Sequence, residues 1–135
     1  QRIVDYTRQG GNLLVSGSHI GSILPTSLSN NVLKFSHGGS MWGVTTGNVS
    51  GANTTFTFPT QVNEKSYAVT APDCLLPANG SYSTFVYTPG NYGAGIAYKG
   101  SDYRTFVLGF PLESIEGTQQ RTQMMKTALG LFRSK

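Results

Sequence analysis

Gly10-Gly11-Asn12-Leu13-Leu14-Val15-Ser16-Gly17-Ser18-His19-Ile20-Gly21 is the stretch on which the fold turns. The paired glycines stop any helix that precedes them, and Leu13-Leu14-Val15 is apolar enough for a short strand buried on both faces. Small residues follow, and His19 to Leu24 can form a helical turn. Strand, tight turn and helix together make the geometry that lifts one side chain to the top of an α/β sheet, as in a nucleophile elbow.

Before the elbow, Arg2 to Gln9 carries Ile3, Val4 and Tyr6 among polar residues and reads as an amphipathic helix ended by Gly10. After it, Pro25 to Asn31 is a polar connection, and Val32 to Phe35 is a short helix or strand before the glycines at 38 and 39. Trp42 to Thr46 reads as a strand and Gly47 to Asn53 as turns. Phe56 and Phe58 alternate with threonines, a strand signature that Pro59 stops. Tyr67 to Val69 is a further short strand. Thr84 to Tyr87, Gly93 to Tyr98 and Arg104 to Phe110 are strands parted by turns at Pro89-Gly90-Asn91 and Lys99 to Asp102. Leu112 to Gly117 is a loop. Thr118 is placed to cap a helix running to Phe132, with Met125, Ala128, Leu129 and Phe132 as its apolar stripe.

At 135 residues the chain has the length of one domain and can bury a core. Charged residues make up only 12%, far below the usual quarter, with Gly, Ser, Thr and Asn abundant. That composition suits an exported bacterial or extracellular surface. The net charge is +4, but the bases are scattered without a stripe or motif, so nucleic-acid binding is not expected. Cys74 is the only cysteine, which rules out an internal disulfide and a thiolate metal cluster; it reads as a small buried residue. No apolar run is long enough to cross a membrane as a helix, and no signal peptide is visible. Because the chain opens on Gln1-Arg2, it is expected to be processed or to be part of a longer polypeptide.

Chemistry at the elbow would be nucleophilic catalysis by Ser18 or Ser16. Such a serine needs a base, and the base needs an orienting group. His19 and His37 are the only histidines; Asp73, Asp102 and Glu113 are the candidate third members. The competing explanation is architectural: small residues let the helix pack closely, and the hydroxyls satisfy backbone groups. His19, His37 and Asp73 lack the spacing of metal ligands, so neither metal nor cofactor is expected. Between residues 82 and 103 lie Tyr82, Phe85, Tyr87, Tyr92, Tyr98 and Tyr103. With Trp42, the tyrosines Tyr82, Tyr87 and Tyr92 are candidates for a glycan- or peptide-binding face. Tyrosine is equally a good strand residue in its own right.

The run from Gly10 to Ser18 resembles the elbow strand of class I glutamine amidotransferase-like domains. Val107 to Ser114 is similar to the end of such a domain, where active members carry Gln-Phe-His-Pro-Glu. The segments Ala94 to Tyr98, Tyr103 to Thr105 and Leu108 to Glu113 also resemble the C-terminal region of secreted Bacteroidetes proteins described as xanthan-lyase-like or golvesin-like. The resemblance implies a degenerate site. The elbow cysteine is missing, Phe110 and Glu113 match the motif, and Pro111 stands where its histidine would be. A proline ring can neither accept nor donate a proton.

The expected architecture is therefore an α/β domain over residues 1–135, a mixed sheet with flanking helices. The resemblance makes it the later part of an amidotransferase-like (flavodoxin-like) three-layer fold. The expected role is a non-catalytic accessory or interaction domain of a secreted, periplasmic or cell-surface bacterial protein, linked to glycan handling. Its partners would be the rest of a parent polypeptide, another copy of the chain, or a glycan. The rival role is a hydrolase of an ester or glycan derivative using Ser18 or Ser16 with a histidine.

Overall fold

The computed structural model describes residues 2–41, 48–61, 68–88 and 90–134. Helix α1 (Arg2–Arg8) leads into β1 (Leu13–Ser16), followed by two single-turn helices, α2 (Ile20–Ile23) and α3 (Thr26–Ser29). Strands β2 (Phe35–Ser40), β3 (Asn48–Gly51), β4 (Thr54–Thr57), β5 (Asp73–Pro77), β6 (Tyr82–Thr88), β7 (Tyr92–Lys99) and β8 (Arg104–Leu108) come next. A 3-10 turn (Leu112–Ser114) and helix α4 (Thr118–Arg133) complete the chain. Among the described residues no helix is long and apolar enough to cross a membrane.

Six strands form one mixed sheet in the order β1-β8-β7-β6-β3-β4, and β2 and β5 form a separate antiparallel ribbon. Among the described strands of the large sheet only β1 and β8 run parallel, with Val15 beside Val107; the other neighbours are antiparallel. The expected mixed α/β sheet with flanking helices is thus present. Parallel pairing, which a flavodoxin-like sheet repeats along its length, occurs once among the described strands.

Side chains alternate across the sheet because a strand has period two. Leu14 packs on one face, with Phe85, Phe106, Leu108 and the helix residues Met124 and Ala128. Leu13 and Val15 pack on the other, with Ile96, Val107, Phe35 and Leu75. One face is therefore covered by α4, the other by the ribbon and by Ile20, Leu24 and Leu28 of the short helices. On the α4 face, Phe58 stacks on Phe110 at 5.3 Å between ring centroids, and Tyr87 meets Phe110 edge-on at 6.2 Å.

The ribbon crosses the sheet where two glycines leave room. A Cβ on Gly93 would lie 2.0 Å from the Leu75 carbonyl oxygen, and one on Gly109 would lie 2.2 Å from that of Asp73. Asp73 N–H donates to Gly109 O at 2.7 Å, so the start of β5 is stitched to the end of β8. This crossing brings β2 and β5 over the carboxyl ends of the parallel pair.

Several elements depart from the sequence reading. Residues 26–29 form a helical turn rather than a polar connection, β2 runs through His37, and residues 48–51 are a strand rather than a turn. The expected strand at Trp42 to Thr46 lies outside the described residues, as does Tyr67. Helix α4 begins after Gly117, which makes no side-chain cap, rather than being capped by Thr118. Ala128 and Phe132 of its expected stripe do pack inward, but Met124 is buried in place of Met125, Leu131 packs on the core and Leu129 is exposed.

Candidate functional site at the end of the parallel pair

In open α/β sheets, sites form outside the carboxyl ends of the parallel strands. Here that position is held by the turn Gly17 to Ile20 after β1 and by the segment Gly109 to Ser114 after β8. The turn is built on His19, whose φ of 65° lies in the left-handed region that few non-glycine residues occupy. His19 starts α2: its carbonyl oxygen accepts the Ile23 N–H at 3.1 Å and the Ser22 hydroxyl at 3.0 Å. An elbow-like turn is therefore present at the expected place.

Asp73, at the start of β5, is the centre of the site. Its side chain is 0% exposed, and Oδ2 accepts the Gly21 N–H at 3.0 Å. On its other side, Nε2 of His37 lies 3.4 Å from Oδ1, with the His37 side chain 26% exposed. That is an electrostatic contact rather than a well-made hydrogen bond, since Oδ1 has no donor in hydrogen-bonding geometry. The His37 ring rests on Gly21, where a Cβ would come within 2.4 Å of the imidazole. Strand β2, strand β5 and the start of α2 thus meet through His37, Asp73 and Gly21.

Behind the carboxylate, the Tyr87 hydroxyl donates to the Asp73 carbonyl oxygen at 2.8 Å. Burial, reinforced by the negative charges of Asp73 and Cys74, raises the Tyr87 phenol far above its ordinary value. Tyr87 is therefore a neutral donor at any physiological pH. Cys74 is buried and free, as expected of a small apolar residue.

The serines are placed differently. Ser16 Oγ accepts the Leu112 N–H at 3.2 Å, which ties the end of β1 to the 3-10 turn. Ser18 lies in the turn itself, next to His19. Glu113 is exposed on the 3-10 turn. Pro111 is buried; its carbonyl oxygen accepts the N–H of Ser114 at 3.0 Å and its hydroxyl at 2.5 Å. Asp102 sits at the far end of β1, where its carbonyl oxygen is 3.5 Å from a Cβ built on Gly10. Among the acids considered, Asp73 is brought against His37.

The aromatic candidates do not assemble into one platform. Tyr82 begins β6 and Tyr92 begins β7, so both are exposed but stand at opposite ends of the hairpin. Tyr87, directly opposite Tyr92, is buried, and Trp42 lies outside the described residues. Among the described residues no group of three His, Cys, Asp or Glu side chains could hold a metal ion.

No family model and no curated protein matches the chain. Solved structures do match. A GH42 β-galactosidase, Gan42B from G. stearothermophilus, matches with a TM-score of 0.67 at 10% identity, over 96% of this chain and 19% of its own. The exo-β-1,4-mannosidase Op5Man5 from Opitutaceae bacterium strain TAV5 matches with 0.58 at 9% identity, over 94% of this chain and 20% of its own. The mmIFT52 N-terminal domain matches with 0.61 at 11% identity, over 98% of this chain and 69% of its own. At such identities the likeness is one of fold alone. The chain spans about a fifth of the length of the two glycosidases.

These neighbours overturn the expected kinship with class I glutamine amidotransferase-like domains. The physical source of the error is local. Gly10 to Ser18 does form a strand and an elbow-like turn, but such a motif specifies a few residues of backbone. It does not specify the strand directions, which among the described strands are antiparallel except between β1 and β8.

Proposed function

We propose that this chain is a non-catalytic accessory or interaction domain of a larger bacterial protein that acts on glycans outside the cytoplasm. The observation that carries this reading is the likeness in fold to a section, about a fifth in length, of a β-galactosidase and a mannosidase. The polar, charge-poor composition suits an extracytoplasmic surface. Ser16 Oγ is engaged by the Leu112 amide, and Asp73 by the Gly21 amide, so both contribute to holding the turn. A glycan array probed with the purified chain tests the glycan link. Retention on at least one glycan, weakened by Tyr82→Ala or Tyr92→Ala, is expected; no retention on any glycan would remove glycan binding from the role.

A second reading rests on His37 and Asp73. A buried carboxylate beside an imidazole is the base-and-orienter half of a hydrolase triad. In that role the His37 imidazole would take the proton of Ser18 or Ser16 during attack on an ester or glycan derivative. Loss of ester hydrolysis on His37→Ala, in a chain shown to have it, would support this reading.

A further inference from the structure

We propose that His37 and Asp73 form a binding site for one zinc ion, which ties β2 to β5 beside the turn that follows β1. The sequence spacing of the two residues gives no sign of it, because the ribbon alone brings them together. Asp73 is fixed first. Its Oδ2 accepts the Gly21 N–H at 3.0 Å, which orients the carboxylate and leaves Oδ1 to face His37. Carboxylates that ligate a metal are held by such outer hydrogen bonds.

Oδ1 is the atom that points to a ligand. The Asp73 side chain is 0% exposed, and among the described residues no hydrogen bond reaches Oδ1. Leaving a buried charged oxygen without a donor is costly, and buried charges are paired or coordinate metals. Nε2 of His37 lies 3.4 Å from Oδ1 without meeting it in hydrogen-bonding geometry. Two atoms that ligate one tetrahedral zinc ion, each about 2.1 Å from it, stand about 3.4 Å apart. The observed separation is therefore that of two zinc ligands. A shared ion sits to one side of the line between them, so the Nε2 axis need not meet Oδ1.

The backbone around His37 is shaped for this contact. In the ribbon His37 pairs with Leu75, and Ser40 pairs with Asp73. The register shifts between these two pairs, where Gly39 has a φ of 111°. Irregularities of this kind re-aim a side chain, and here the imidazole reaches Asp73 rather than standing square to Leu75. Gly21 leaves the ring its place, since a Cβ there would lie 2.4 Å from it.

The donor set selects the ion. One imidazole nitrogen and one carboxylate oxygen suit zinc, whereas magnesium and calcium take oxygen shells. Among the described residues no third His, Cys, Asp or Glu completes the set. Water fills the other positions from the open side of His37, whose side chain is 26% exposed. With two protein ligands the site is weaker than a four-ligand structural centre.

Calorimetric titration of the untagged chain with zinc chloride, followed by thermal unfolding, tests the proposal. One equivalent is expected to bind and to raise the unfolding midpoint by a few degrees. His37→Ala should weaken binding about tenfold or more. Zinc should also shift the His37 imidazole resonances of the unmodified chain, a readout that needs no variant to fold. The proposal is overturned if zinc does not bind, if magnesium binds as tightly, or if His37→Ala binds zinc as well as the unmodified chain. It is equally overturned if zinc binds while the His37 resonances stay in place.

Discussion

Asp73 shows how one residue can serve three elements. Its carboxylate holds the start of α2 through Gly21, faces His37 on β2, and its own carbonyl oxygen receives Tyr87 from β6. Replacing Gly21 by alanine puts a methyl group into the His37 ring, so the imidazole must leave the carboxylate. Gly21→Ala is expected to cost about 1–3 kcal/mol in urea denaturation, the usual penalty of overpacking a filled site. A shift of the His37 imidazole resonances would show that the pair has parted. Tyr87→Phe leaves the Asp73 carbonyl oxygen without its donor and should cost about 1–3 kcal/mol at neutral pH.

Tyr87 also sets a pH dependence. Its folded pKa is raised above the unfolded value of 10.0, so below that value both states are protonated and the contribution is complete. Above it the unfolded phenol releases its proton while the native one keeps it, and stability falls as pH rises. Tyr103 is raised in the same direction, by burial and by neighbouring Tyr98, so it adds to the slope. Thermal unfolding between pH 8 and about 11 should show a decline beginning near the ordinary tyrosine value. The decline should be shallower, not absent, in Tyr87→Phe. A variant with the same slope as the unmodified chain would exclude Tyr87 as its source.

Among the elements, α4 is held most specifically at its C-terminal end. The Arg104 guanidinium, from the first residue of β8, donates to Leu131 O at 2.6 Å, to Ser134 Oγ at 3.0 Å and to Ser134 O. A cation on the last carbonyls satisfies acceptors that a helix cannot and complements its dipole. Arg104→Ala should lower stability by about 1–2 kcal/mol. Amide exchange would quicken first in the last turn of α4, and uniform quickening along the helix would point to a different anchor.

What was legible in the sequence divides along the same line. Helix α1, β1, β7, β8 and α4 each carry a strong local signal: a glycine stop, an apolar run or an apolar stripe. Strand β5 was not legible, because Pro72 and Pro77 bracket it and Asp73 reads as a loop residue. It is a strand because β2 and the end of β8 supply its hydrogen-bonding partners. In the α4 stripe Ala128 and Phe132 are legible, but Met124 and Met125 are equally apolar, and tertiary packing alone chooses between them. His37 and Asp73 could each be named as candidates. Their pairing could not, since it depends on the ribbon crossing at Gly93 and Gly109.

At the scale of the whole molecule, the sheet, its two covered faces and the ribbon place one turn, one imidazole and one buried carboxylate together. The hydrogen bonds described there run to backbone: Leu112 to Ser16, Gly21 to Asp73, Tyr87 to Asp73. Such bonds hold the end of the parallel pair together.

The measurement that bears most directly on the non-catalytic role is turnover by the purified chain on a panel of chromogenic esters and glycosides from pH 5 to 9. No hydrolysis above that of the Ser16→Ala, Ser18→Ala and His37→Ala variants is expected. Hydrolysis that the unmodified chain performs, and that His37→Ala together with Ser16→Ala or Ser18→Ala abolishes while the fold persists, would contradict that role.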